Sequence, residues 1–215
     1  MLTEIISNPT DTIFLIIALI GAISLHEYAH AWAATRLGDP TPKQQGRLTI
    51  NPLKHLDPYG TIFLLLAGFG WGKPVITNPV YYKRPKIDYA ITSLAGPAAN
   101  LLLALIFSLP GTIATILGYN IDNNTLIGFA EIAYYINILL FVFNLLPIYP
   151  LDGSKVVMAL LRNQRTIYQY IAIGPKLLFL ILIINIWYPI FTWFFIFSSS
   201  AVNIIFRGIP VFLFT

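Results

Sequence analysis

The chain has 215 residues, 57% of them hydrophobic and only 10% charged, with a mean hydropathy of +0.73. A soluble domain carries about 25% charged residues, so the composition excludes one and points to an integral membrane protein. The net charge of +4 comes from basic residues beside apolar segments, where they act as topology determinants at anionic lipid surfaces and do not indicate nucleic-acid binding.

A helix needs about 20 apolar residues to cross a bilayer. The first such stretch is Thr12–Thr35, whose only formally charged residue is Glu27. No Lys or Arg precedes it and it exceeds a signal-peptide apolar region, so a retained span is expected. Arg47–Asn51 and Pro74–Tyr82 mix β-branched residues with Pro and Asn and are expected as short strands or a hairpin at the membrane surface. Between them Ile62–Trp71 is half a span long and flanked by Gly60, Gly68, Gly70 and Gly72, which predicts a re-entrant or interfacial segment. Further spans are expected at Tyr89–Leu109, at Thr125–Pro147, and in a tract from Leu177 towards Phe206 bent at Pro189. The end, Gly208–Thr215, is too short to cross again. With no internal repeat or linker, the expectation is one domain over residues 1–215. Its class is an all-α polytopic membrane protein with about four transmembrane helices, plus the interfacial segment and short strands.

Lys and Arg set the orientation. None precedes Arg36, eight lie from Arg36 to Lys86, and Lys155, Arg162, Arg165 and Lys176 fall between the third and fourth expected spans. If Ile62–Trp71 does not cross, twelve of the thirteen basic residues share one side, which the positive-inside rule makes cytosolic. Arg207 is the exception.

Inside the first span, His26-Glu27-Tyr28-Ala29-His30 fits H-E-x-x-H. A carboxylate in hydrocarbon costs ~2–3 kcal/mol or more and persists when it faces a partner, a metal or water. On a helix, residues four apart share a face, so His26 and His30 can address one metal, while Glu27 lies about 100° round, beside a metal-held water. Packing histidines with an incidental Glu are the bland alternative. A catalytic zinc takes three protein ligands and an open position. No cysteine is present, so the third ligand is a carboxylate or His55. Asp152, in Asn144-Leu145-Leu146-Pro147-Ile148-Tyr149-Pro150-Leu151-Asp152-Gly153, is the best placed in depth. Its alternative role is as N-cap of a helix through Lys155–Leu161. His55, beside Lys54 and Asp57, reads as a surface residue or a resting-state fourth ligand. Gly96 and Asn100 form a small-x-x-x-polar face read as helix packing.

The pairing of H-E-x-x-H with N-x-x-P-x-x-x-x-D-G resembles the site-2 protease family of intramembrane zinc metalloproteases. The resemblance extends to Gly46–Pro52, Asn51–Pro58, Phe69–Val75 and Leu94–Asn100, so it runs from Ser24 to Asp152. It implies that His26, His30 and Asp152 bind one zinc per chain, that Glu27 is the general base, and that Asn144 holds the substrate backbone or the developing oxyanion. Asn144 has an alternative role, satisfying backbone groups freed near a proline. Tyr149 stands where many relatives have proline. Many relatives also carry a PDZ or CBS domain, for which this chain has no room, so the likeness is to the compact bacterial subgroup. The implied substrates are transmembrane proteins cut in or near their spans (regulated intramembrane proteolysis), in a bacterial plasma membrane, with the site towards the cytosol. A catalytically silent helix-binding pseudoprotease and a zinc transporter are the competing classes. The complete H-E-x-x-H with Asp152 speaks against the first, and the scarcity of ionisable residues in the other spans speaks against the second.

Overall fold

The computed structural model describes residues 9–67, 72–119 and 124–188. In chain order its helices are α1 (Pro9–Arg36), α2 (Thr41–Gln44), α3 (Pro58–Ala67), α4 (Pro85–Ile116), α5 (Thr125–Asn144), α6 (Gly153–Leu160) and α7 (Gln164–Trp187), with 3-10 turns at Pro52–Lys54 and Pro79–Tyr81. Among the described residues four helices, α1, α4, α5 and α7, are long and apolar enough to cross a membrane. The protein is therefore an all-α, multi-pass membrane protein.

Small residues bring the first three of these helices together. On α1 the buried positions Ala18, Ala22, His26, His30 and Ala34 repeat every fourth residue. On α4, Gly96, Asn100, Ala104 and Ser108 do the same. Such stripes let helix backbones approach closely, which in a bilayer replaces the hydrophobic drive available in water. Both α1 and α4 also pack on α5. There Ala104, Tyr134 and Ile138 are fully buried, with Phe107, Tyr135 and Val142 against them. Large apolar side chains such as Ile13, Ile17, Ile106 and Ile113 point outwards, as lipid contact requires.

Among its described residues, the connection from α1 to α4 contains no helix long enough to cross a membrane. Helix α3 has 10 residues and so spans about 15 Å, half a hydrocarbon core. This agrees with an interfacial or re-entrant segment; residues 68–71 of that expectation lie outside the described ones. The expected strands do not form among the described residues, where the only ladder contact is an isolated antiparallel bridge between Leu56 and Gly72. The reason is local. Asn51 and Asn78 each accept a hydrogen bond from the N–H two residues on, and Pro52 and Pro79 then open 3-10 turns. Proline also has no N–H for a ladder. Side chains hold the connection instead. Arg47, buried, donates to the carbonyls of Lys54 and Lys73. Asp39, fully buried, accepts from Thr41 N at 2.9 Å and Asn78 N at 2.6 Å.

The fourth long helix departs from expectation. It starts at Gln164, where the Asn163 side chain caps Arg165 N at 2.9 Å, and not at Leu177. Arg165 and Lys176 therefore lie within α7, and the loop preceding it carries fewer basic residues than expected. A helix is continued by its cap and backbone bonds, and isolated charges do not stop it. The helix rests on the 147–150 loop, with the Tyr170 hydroxyl donating to Pro147 O at 2.8 Å. The rest of the expected span, with Pro189, Arg207 and Gly208–Thr215, lies outside the described residues.

Candidate metal centre

Three elements converge at one end of the bundle: the second half of α1, the first half of α4, and the loop that joins α5 to α6. His26 Nε2 and His30 Nε2 lie 3.0 Å apart, and Asp152 Oδ2 lies 3.1 Å from the first and 3.2 Å from the second. All three residues are buried. They are the group of His, Asp and Glu side chains among the described residues that can hold a metal ion.

The imidazoles are turned for this by their other nitrogens. His30 Nδ1 lies 2.7 Å from the Thr92 main-chain carbonyl, which can only accept, so Nδ1 carries the hydrogen and Nε2 is bare. His26 Nδ1 lies 2.6 Å from Asn100 Oδ1 and likewise donates. Two bare nitrogens facing one another at 3.0 Å, with a carboxylate oxygen beside both, repel unless a cation lies among them. The donor set of two imidazoles and one carboxylate is one that catalytic zinc takes. The residues present therefore fit the metal.

Burial alone would raise the Asp152 carboxyl. Its contacts with the imidazoles of His30 and His26 outweigh this and hold it well below the usual carboxylate range. Its other oxygen lies 3.3 Å from Lys155 Nζ, which also donates to Pro150 O at 2.7 Å. Asp152 directly precedes α6 but makes no capping hydrogen bond, so the N-cap reading does not describe it. Its orientation depends on Gly153, where a β-carbon would overlap the Leu145 carbonyl. Gly96 has the same importance opposite: a β-carbon there would sit 2.6 Å from His26 Nε2 and collide with the His30 ring.

Glu27 stands one residue round the helix. Its Oε2 accepts from Val75 N at 2.9 Å. A cavity of about 580 Å³ opens here, lined by His26, Glu27, His30, Asn144, Tyr149 and Asp152 among others, with Pro74–Thr77 as one wall. His26, Glu27, His30, Asn144 and Asp152 thus border one space.

Two overlapping stretches, residues 14–121 and 108–184, match Peptidase family M50. The chain belongs to peptidase family M50, the site-2 protease family. Over 151 residues it is 43% identical to "Putative zinc metalloprotease YwhC" of Bacillus subtilis (strain 168), covering 67% of each chain. Over 212 residues it is 30% identical to "Putative zinc metalloprotease Rip2" of Mycolicibacterium smegmatis, covering 91% of this chain and 78% of the relative. No solved structure matches. The M50 assignment makes the protein a zinc metalloprotease of the membrane.

Within this M50 chain, some residues have positions that their sequence context did not convey. Asn100 and Gly96, read as packing, touch the histidines. Lys155, read as a topology charge, touches Asp152. His55, read chiefly as a surface residue, is 0% exposed: it donates from Nε2 to Thr49 O at 2.7 Å, stands apart from the metal group, and has no partner for Nδ1 among the described residues. Its neighbours Lys54 and Asp57 misled because the 3-10 turn at Pro52–Lys54 turns successive side chains to different sides. The signal that could have found Asn100 is an amide three turns inside a span, where a polar group needs a named partner.

Proposed function

We propose that the protein is an intramembrane zinc metalloprotease that hydrolyses peptide bonds in or beside the transmembrane segments of membrane proteins, in regulated intramembrane proteolysis. The observation that carries this reading is the convergence, beside Glu27 and on an open cavity, of two bare imidazole nitrogens from a membrane-spanning helix with the Asp152 carboxylate oxygen. His26, His30 and Asp152 would hold one zinc per chain, which supplies a Lewis acid for the scissile carbonyl and lowers the pKa of water to about 7.

The chain's own groups do the rest. Val75 N–H occupies Glu27 Oε2, leaving Oε1 to take a proton from the attacking water. As the water oxygen bonds to the carbonyl carbon and the C–N bond breaks, Glu27 returns that proton to the leaving amine. Asn144 Nδ2 donates one hydrogen to Leu140 O at 3.0 Å. Its second N–H is available to the substrate backbone or oxyanion, so the backbone-satisfying role and the substrate role are compatible. A helical substrate must unwind to offer its carbonyl, and Pro74–Thr77, which is not helical and borders the cavity, would pair with the extended chain by strand addition.

The positive-inside rule supports a cytosolic site in a bacterial plasma membrane. The connection between α1 and α4 carries basic residues, and so does the stretch that follows the loop after α5, at Lys155 and Arg162, whereas residues 117–124 carry none.

The test is cleavage of a panel of single-span membrane proteins in liposomes, with bound zinc measured in parallel. The wild type should bind zinc and cut. Glu27→Gln should keep the zinc and lose roughly 10²–10⁴-fold in rate. A folded wild type that binds no zinc overturns the reading. Zinc flux that survives Glu27→Gln, without cutting by either protein, would favour transport.

A further inference from the structure

The hydrogen-bond chain behind His26 does not end at Asn100. Asn100 Nδ2 donates to Asn137 Oδ1 at 2.9 Å, and Asn137 Nδ2 donates to Ala133 O at 2.8 Å. Asn100 is 0% and Asn137 1% exposed. The chain crosses three helices, from α5 through α4 to α1.

Its polarity is fixed from one end. A main-chain carbonyl can only accept, so Asn137 must turn its nitrogen to Ala133 and its oxygen to Asn100. Asn100 must then turn its nitrogen to Asn137 and its oxygen to His26. His26 Nδ1, facing that oxygen, must carry the hydrogen, and Nε2 is left bare towards His30 and Asp152. Reversing any amide places two donors or two acceptors face to face where there is little else to satisfy them. Resting on the zinc-site reading above, we propose that Asn137 is a positioning residue for the metal centre, selecting the metal-binding tautomer of His26 through Asn100 without touching the imidazole.

An alternative purely structural role would be to hold α5 against α4. The two are separable because packing depends on shape, while tautomer selection depends on which atom accepts. Asn137→Leu keeps most of the volume and removes the polarity. Asn137→Asp keeps an oxygen for Asn100 and, as a carboxylic acid, a donor for Ala133 O.

The experiment measures zinc affinity of the full chain in detergent by chelator competition, with cobalt absorption spectra as a second readout. Outer partners of metal-bound histidines are worth roughly 10–100-fold in affinity, so Asn137→Leu should weaken zinc by that factor and alter the cobalt spectrum. Asn137→Asp should restore both. Nitrogen-15 NMR of metal-free wild type should show the hydrogen of His26 on Nδ1, a readout that needs no variant to fold. Wild-type affinity in Asn137→Leu, equal weakening in both variants, or a hydrogen on Nε2 overturns the proposal while leaving wild-type zinc binding intact. A wild type that binds no zinc overturns the underlying reading as well.

Discussion

The main-chain N–H of Val75 donates to Glu27 Oε2 at 2.9 Å, so the carboxylate beside the metal group is tied to the segment that walls the cavity. Hydrogen bonds to charged groups are worth about 1.5–3 kcal/mol, or roughly 10–100-fold when they hold a reacting group in place. Val75→Pro, which deletes the donor, should lower the turnover rate by that factor with zinc content unchanged. Val75→Ala, which keeps the donor, should stay near wild type. Steady-state cleavage with zinc analysis checks this, and equal rates in the two variants would show that the bond does not orient Glu27.

Gly96 is the closest approach of α4 to both histidines, and a methyl there overlaps the rings. Gly96→Ala should reduce zinc affinity by more than about tenfold, as expected when the orientation of metal-ligating histidines is disturbed. Gly21 of α1 has nothing near its missing β-carbon, so Gly21→Ala serves as the control for a helix glycine that should tolerate the change. Zinc per folded chain, measured side by side, decides it.

Metal binding should also be visible as stability. A ligand that binds only the folded state adds about 4 kcal/mol when present at a thousand times its Kd. Adding zinc to stripped wild type should therefore raise Tm, and chelation should reverse the rise together with activity. Asp152→Asn removes the anionic donor, so most of the zinc-dependent shift should vanish while the metal-free Tm changes less. A full zinc shift in Asp152→Asn would remove Asp152 from the ligand set.

Arg47 binds the carbonyls of Lys54 and Lys73 from a buried position, joining the two halves of the connection between α1 and α4. Arg47→Met keeps bulk and loses both bonds. The connection should then be cut faster by added protease, and peptide-bond cleavage should fall because Val75 lies two residues after Lys73. Zinc affinity should not change, since none of the three proposed ligands lies in this segment. Arg47→Lys should not rescue fully, because a single ammonium cannot reproduce a planar fork of donors.

The parts legible in the sequence were those governed by short-range periodicity. His26 and His30 share a face because they are four residues apart, and the first three long helices follow from runs of apolar residues bounded by charge or by Asn caps. Asp152 lies 126 residues from His26, so no local spacing points to it; the matched depths of the two spans make it the best-placed candidate, and the family resemblance implies its role. Arg47–Asn51 and Pro74–Tyr82 have strand-like composition, but a strand requires a partner, and the Asn-Pro pairs divert the backbone into turns before one is met. The start of α7 is not legible because Arg165 and Lys176 read as loop residues, whereas long basic side chains on a helix can carry their charge towards the interface. Asn137 is hidden inside a hydrophobic run, although an amide at such a depth signals a dedicated partner.

The amide chain from Ala133 to His26 makes the separation of two helices and the basicity of one nitrogen the same variable. If α5 draws away from α4, Asn100 is freed to rotate, and the imidazole loses its preference before any ligand has moved. Metal occupancy then depends on how closely α5 is held against α4, through a proton's choice between two nitrogens.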